Sequence, residues 1–134
     1  MEPILPFAAA RTFAQQAKNQ PFRMRLGFAL AGIRRVWIRE RSFRTQAALE
    51  AAALLLAAIL RPGWLWAAAI LLATGLVLAL EIANAALEYA LDELHPGYSR
   101  EIGFAKDAAA GAVLAASLAS LCVGAAMLAS VLTG

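Results

Sequence analysis

The stretch WLWAAAILLATGLVLAL, residues 64–80, contains seventeen consecutive residues without a charge. As an α-helix it would be about 26 Å long, close to the ~30 Å thickness of the hydrocarbon core of a bilayer. A second uncharged run covers residues 108–132 and would reach about 37 Å as a helix. These two lengths predict two helices that cross a membrane.

A third apolar segment, residues 47–60, is shorter and contains Glu50, so by itself it could be a buried helix of a water-soluble protein. The composition favours a membrane, because 62% of the 134 residues are hydrophobic and a single domain of this size cannot hide so much apolar surface from water. We therefore predict one all-α membrane domain with transmembrane helices over residues 47–61, 64–92 and 106–132.

The segment before these spans has an amphipathic pattern. Large apolar residues recur at helical intervals at Phe22, Leu26, Leu30, Ile33 and Trp37, and arginines fill much of the remainder. A helix with this pattern lies in the plane of the membrane interface. We predict a surface helix over residues 22–46, which serves either as an anchor only or also as a wall of a site. We expect residues 1–21 to form an N-terminal extension, and we predict no signal peptide there.

Basic residues are concentrated at one end of the chain. Nine of the twelve Lys and Arg residues precede position 47, and two more lie in the connection before the last span. The positive-inside rule places the N-terminus and that connection in the cytoplasm, and the turn at Arg61 outside. We expect the net charge of +3 to face anionic lipid headgroups and not nucleic acid.

Polar side chains follow the apolar run of residues 64–80. At 100° per residue, Glu81, Asn84, Glu88 and Asp92 share one stripe roughly 80° wide on a helix. Ionisable groups near hydrocarbon usually face a helix bundle or a wet cavity and serve a function. Packing is the alternative, with the carboxylates paired to arginines and Asn84 bonded to a neighbouring helix.

Further charges are predicted at the same membrane surface. They precede the first span or begin the third: Glu40, Arg44, Lys106 and Asp107. Carboxylates with a lysine suit Mg²⁺ bound between protein and phosphate oxygens, which indicates phosphoryl transfer. The chain has no GxxxxGK[ST] loop, so a nucleotide site would be built in another way.

Three stretches carry a resemblance to a known family: VWIRERSFRTQAA (residues 36–48), EIANAALEYALDEL (81–94) and AKDAAAGAVLAA (105–116). They resemble the small bacterial membrane kinases that phosphorylate diacylglycerol or undecaprenol. The resemblance runs from about Gly27 to Met127. It implies a homotrimer in the bacterial cytoplasmic (inner) membrane, with composite active sites on the cytoplasmic side and MgATP-dependent phosphorylation of a lipid alcohol.

The resemblance also implies roles for individual residues. Glu81 would be the catalytic base that acts on the lipid hydroxyl, and Glu40 and Glu88 would hold the Mg²⁺ bound to ATP. The nucleotide and its phosphates would be contacted by Arg44, Asn84, Lys106 and Asp107. Asp92 matches a further family position.

The acceptor lipid is open between two alternatives. The motif KDAAAGAVL is closer to undecaprenol kinases, and Gln46 stands where diacylglycerol kinases often have an acidic residue, whereas WIRERSFR is closer to diacylglycerol kinases. We favour diacylglycerol, with phosphatidic acid as the product.

A different class of function is a non-catalytic membrane scaffold or a cation-conducting subunit, in which acidic groups would carry protons or cations. An ion path should place acidic residues through the whole depth of the bilayer. Here only Glu50 and Glu81 approach that depth. This distribution favours chemistry at the membrane surface.

Overall fold

The computed structural model describes residues 20–133, and within that range it consists of four α-helices without a strand. The helices are α1 (Phe22–Arg39), α2 (Arg41–Leu60), α3 (Trp64–Leu94) and α4 (Arg100–Thr133). The last three are long and apolar enough to cross a membrane. The prediction of an all-α membrane protein with three spans is thus confirmed, while residues 1–19 of the predicted extension lie outside the described range.

The chain divides into two compact units, Met1–Arg35 and Val36–Gly134. The described part of the first unit is most of α1, which begins where the carbonyl of Pro21 accepts hydrogen bonds from the amides of Met24 and Arg25. The apolar stripe of α1 is exposed; Phe22, for example, is 75% exposed. Such exposure is expected of a helix that binds a membrane interface.

The predicted surface helix over residues 22–46 is divided at Glu40. This residue has extended backbone angles (φ −98°, ψ 112°), so α2 begins at Arg41, earlier than predicted. Packing explains the break: Phe43 is buried and meets the ring of Trp37 edge-on, with 6.1 Å between ring centroids. The side chain of Arg44 also bonds carbonyls at the end of α1, where a helix leaves carbonyls without partners.

Each of the two other breaks between helices contains a Pro–Gly pair, Pro62–Gly63 and Pro96–Gly97, which is typical of a turn. Arg61 ends α2 in a left-handed conformation (φ 49°), its amide bonded to the carbonyl of Ala57, and Gly63 follows with φ 95°. Glycine adopts such angles without the Cβ clash that other residues meet. Before α4, Ser99 caps the helix, because its hydroxyl accepts a hydrogen bond from the amide of Ile102.

In the second unit, α3 packs against both α2 and α4. Each short connection reverses the chain, so α2 and α4 run in the same direction. One apolar cluster, built on Val36, Phe43 and Ala85, lies at the end of the bundle where α2 begins. A second cluster, built on Ala57, Ile70 and Met127, lies towards the Arg61 turn. Many leucines point outward, which fits a bundle surrounded by lipid.

Candidate functional site

The polar stripe of α3 lies beside the first apolar cluster. Glu81 is only 8% exposed and is one turn from Ala85, which packs under Phe43. The amide nitrogen of Asn84 donates a 2.9 Å hydrogen bond to Glu88, one turn further along the same face. The amide oxygen of Asn84 is buried, and no residue of the described range bonds it. This oxygen is therefore free to accept a bond from a ligand.

Glu40 reaches the same face from the junction of α1 and α2. Its side chain makes no cap bond to α2; instead its carboxylate accepts a hydrogen bond from the hydroxyl of Tyr89 on α3. The carboxylates of Glu88 and Glu40 lie near enough to Glu81 to repel its negative charge. Three carboxylates from two parts of the chain thus gather in one place, and we call Glu40, Glu81, Asn84 and Glu88 the carboxylate site.

Lys106 on α4 forms an ion pair with Asp92, the last residue of the α3 stripe. Their side chains are 31% and 66% exposed, respectively. An exposed pair of this kind contributes little stability, about 0–1 kcal/mol, so a phosphate can compete for the lysine at small cost. Asp107 is exposed, and among the contacts of residues 20–133 no hydrogen bond joins it to the carboxylate site.

The side chain of Arg44 is bonded to backbone carbonyls of α1. Its guanidinium donates hydrogen bonds to the carbonyls of Trp37 and Ile38, at 2.8 and 3.1 Å. These bonds hold the end of α1 against the beginning of α2 and so help to direct Glu40 towards α3. The nucleotide contact expected of Arg44 stays a prediction.

The residues of the carboxylate site fit Mg²⁺ in the way that phosphate-transferring enzymes bind it. Within residues 20–133, no three acidic, His or Cys side chains converge tightly enough to form a metal cage. Mg²⁺ rarely uses such a cage, since it usually takes one or two carboxylates and completes its shell with waters and substrate phosphates. Glu40 and Glu88 would supply carboxylates, and the Asn84 amide oxygen, which has no partner in the described chain, is left available to the nucleotide.

The sequence did not predict two residues that surround Glu40. Tyr89 donates to its carboxylate, and the guanidinium of Arg39 stacks over the Tyr89 ring, 5.6 Å from the ring centroid. Tyr89 lies about 80° from Glu81 around the helix, just beside the polar stripe. This position beside the polar stripe was the available signal in the sequence. It is a weak one, because a tyrosine next to an apolar surface usually packs its ring against that surface.

A second polar cluster lies deeper in the bundle, around Glu50, which is 5% exposed. One carboxylate oxygen accepts hydrogen bonds from Thr74 on α3 (2.9 Å) and Ser120 on α4 (3.3 Å). The other accepts a 3.4 Å bond from the amide of Gln46, which also donates to Ser117. We call these residues the Glu50 cluster. It connects all three spans.

Comparison with known proteins gives a consistent result. The family model described as prokaryotic diacylglycerol kinase matches residues 27–128. A curated relative from Synechocystis sp., named diacylglycerol kinase, is 34% identical over 102 residues, which cover 75% of this chain and 58% of the relative. The chain thus spans less than two thirds of the length of that relative. Both findings support the family resemblance and the kinase prediction made from the sequence.

Proposed function

This chain belongs to the prokaryotic diacylglycerol kinase family, and on that premise we propose that it transfers the γ-phosphate of MgATP to a lipid alcohol, with diacylglycerol preferred to undecaprenol. One observation carries the proposal. Glu81 is a buried carboxylate next to Glu40 and Glu88, at a level where α3 leaves its apolar run. Like charges are held together in this way where a ligand or a reaction uses them.

In the proposed mechanism, Glu81 accepts the proton of the lipid hydroxyl while the hydroxyl oxygen attacks the γ-phosphorus. The bond from that phosphorus to the β-phosphate oxygen breaks, and ADP leaves. A positioned base of this kind accelerates a reaction about 10²–10⁴-fold. The described chain supplies Glu81 with no hydrogen-bond donor, so its oxygens are available to the substrate.

Lys106 exchanges its bond to Asp92 for a bond to the transferred phosphate, whose negative charge it stabilises. Asn84 holds Glu88 through its amide nitrogen and offers its free oxygen to the nucleotide side. Tyr89 holds Glu40 through the hydrogen bond that its hydroxyl donates to the Glu40 carboxylate. Mg²⁺, held by Glu40 and Glu88, would neutralise phosphate charge when bound with ATP.

The assembly and location belong to the same proposal. We place the protein in the bacterial inner membrane with its N-terminus and site in the cytoplasm, as the distribution of basic residues indicates. A homotrimer with sites between subunits accounts for Asp107, which is exposed in the single chain and would face a neighbouring copy. Cross-linking of the purified protein in detergent tests this; a monomer with full activity contradicts it.

Phosphate transfer from radiolabelled ATP in mixed micelles, with diacylglycerol and undecaprenol supplied separately, tests the reaction. We expect transfer to diacylglycerol to be faster. The variant Glu81→Ala should lose at least about a hundredfold in rate. Glu93→Ala is the matched control, because Glu93 is an exposed glutamate on the same helix.

Three outcomes would contradict parts of the proposal. Equal loss in both variants would exclude Glu81 as the base. Faster transfer to undecaprenol than to diacylglycerol would make undecaprenol the preferred acceptor. Cation flux in vesicles with no transfer to either lipid would favour a conducting subunit instead.

A further inference from the structure

A groove of about 450 Å³ lies between α2 and α4, away from the carboxylate site. Its volume is within the range of pockets that bind small molecules, ~300–1,000 Å³. The two helices run in the same direction, and hydrogen bonds from Gln46 to Ser117 and from Ser120 to Glu50 set their register. The groove therefore has a polar end at the Glu50 cluster and an apolar remainder, lined by Leu56, Leu121, Gly124 and Leu128.

The chemistry of the polar end selects one class of ligand. It presents a carboxylate, an amide and two hydroxyls, and no cation is among the residues that line the groove. One Glu50 oxygen accepts two bonds, but the other accepts only the 3.4 Å bond from Gln46 among the described donors. A hydroxyl could donate to that oxygen. A phosphate would meet a carboxylate with no positive charge nearby, inside hydrocarbon.

We propose that this groove binds an uncharged lipid alcohol, with its hydroxyl on Glu50 and an acyl chain along the apolar walls. Leu49 and Leu121 at the groove are 61% and 70% exposed, so the groove opens towards the surrounding lipid. The identity of the alcohol rests on the proposed function, which makes diacylglycerol the expected occupant.

The groove is not the reaction site. Glu50 follows Glu40 by ten residues along the chain, which corresponds to roughly 15 Å along a helix. A hydroxyl bound at Glu50 is therefore too deep for a phosphate held at Glu40. The groove holds the acceptor within the bilayer and rejects the phosphorylated product, so product does not compete with acceptor there.

Photolabelling tests the proposal on the full-length protein in phosphatidylcholine vesicles. The probe is a diacylglycerol with a diazirine midway along one acyl chain, and labelled peptides are identified by mass spectrometry. We expect adducts around residues 53–56 of α2 and 121–128 of α4. Unlabelled diacylglycerol should displace the probe, and an equal amount of phosphatidic acid should displace at least about fivefold less.

Two glycines provide a matched pair of variants. A side chain added at Gly124 enters open space in the groove, whereas one added at Gly75 enters open space on α3 outside it. Gly124→Leu should reduce labelling at least about fivefold, and Gly75→Leu should leave it unchanged. Glu50→Leu should also reduce labelling, and Gly124→Leu keeps the test decisive if that variant fails to fold.

The proposal is overturned if Gly124→Leu labels like the wild type or if phosphatidic acid displaces the probe as well as diacylglycerol does. A photoreactive leucine at position 121 that cross-links to a second copy of the chain would also overturn it, since the groove would then be a subunit contact. Labelling of Glu81→Ala separates the two proposals. Groove labelling should persist in this variant although phosphate transfer is lost. If the wild type transfers phosphate but shows no groove labelling, the groove proposal is wrong and the proposed kinase function stands.

Discussion

Glu50 and Glu81 are both buried carboxylates in membrane helices, yet their surroundings are opposite. Glu50 accepts hydrogen bonds from three neutral donors on its own helix and the two others. Glu81 has no hydrogen-bond donor in the described chain and is repelled by Glu88 and Glu40. The first arrangement stabilises the bundle, and the second costs stability in a way that is typical of sites that act on a ligand.

The largest change in stability is expected at Glu50, the carboxylate that accepts hydrogen bonds from all three spans. Glu50→Ala removes the acceptor of Thr74 and Ser120 and should lower the free energy of unfolding by about 1–3 kcal/mol. Titration with SDS in decyl maltoside measures this loss. A double-mutant cycle with Thr74→Val should give a coupling of about 0.5–1.5 kcal/mol. A loss no greater than that of the exposed control Glu93→Ala would mean that the Glu50 cluster does not hold the spans together.

The next effect is expected where Tyr89 holds Glu40 against α3. Tyr89→Phe removes the hydroxyl that bonds Glu40 and keeps the ring under Arg39, so it should cost about 1 kcal/mol. It should also raise the Mn²⁺ concentration needed for half-maximal binding, as followed by electron paramagnetic resonance. Tyr98→Phe is the control, since Tyr98 is 98% exposed. Unchanged Mn²⁺ binding in both variants would show that Tyr89 does not position Glu40.

The effect at the unsatisfied carboxylate should have the opposite sign. Glu81→Gln keeps the shape of the side chain and replaces a buried carboxylate, which lies near Glu88 and Glu40, by a neutral amide, so the free energy of unfolding should rise by about 0.5 kcal/mol. Phosphate transfer should nevertheless be lost. The same SDS titration measures the gain, with Glu93→Gln as the exposed control. A clear loss of stability in Glu81→Gln would show that the Glu81 carboxylate stabilises the bundle, as that of Glu50 does.

The smallest effect is expected at the exposed ion pair. Asp92→Asn removes the partner of Lys106, but such a pair contributes only about 0–1 kcal/mol. The midpoint of the SDS titration should stay within error of the wild type at 150 mM salt. A loss as large as that of Tyr89→Phe would show that Lys106 is tied to Asp92 too strongly to change partners.

Much of the fold could be predicted from the sequence, because the length of apolar runs and the Pro–Gly breaks depend on local residues alone. The stripe of Glu81, Asn84 and Glu88 follows from helical periodicity in the same way. The break at Glu40 could not be predicted, since no Pro or Gly marks it. It results from contacts of Phe43 and Arg44 with the preceding helix.

The Glu50 cluster was beyond prediction for a related reason. Two of its three donors lie 24 and 70 residues away along the chain, on two other helices. Periodicity within one helix says nothing about which residues of different helices meet. A lone glutamate in an apolar run therefore indicates a polar partner without identifying it.

The hydrogen bonds of Glu50 also fix the position of α2 along its axis relative to α3 and α4. Sliding α2 by one turn, about 5.4 Å along the bilayer normal, would break its bonds to Thr74 and Ser120 at once. The offset between α2 and α4 along their axes is therefore set about halfway along α2. Because Glu40 and Lys106 lie towards the same end of these helices, hydrogen bonds in the interior of the bundle hold two charged groups at matching heights at one end of it.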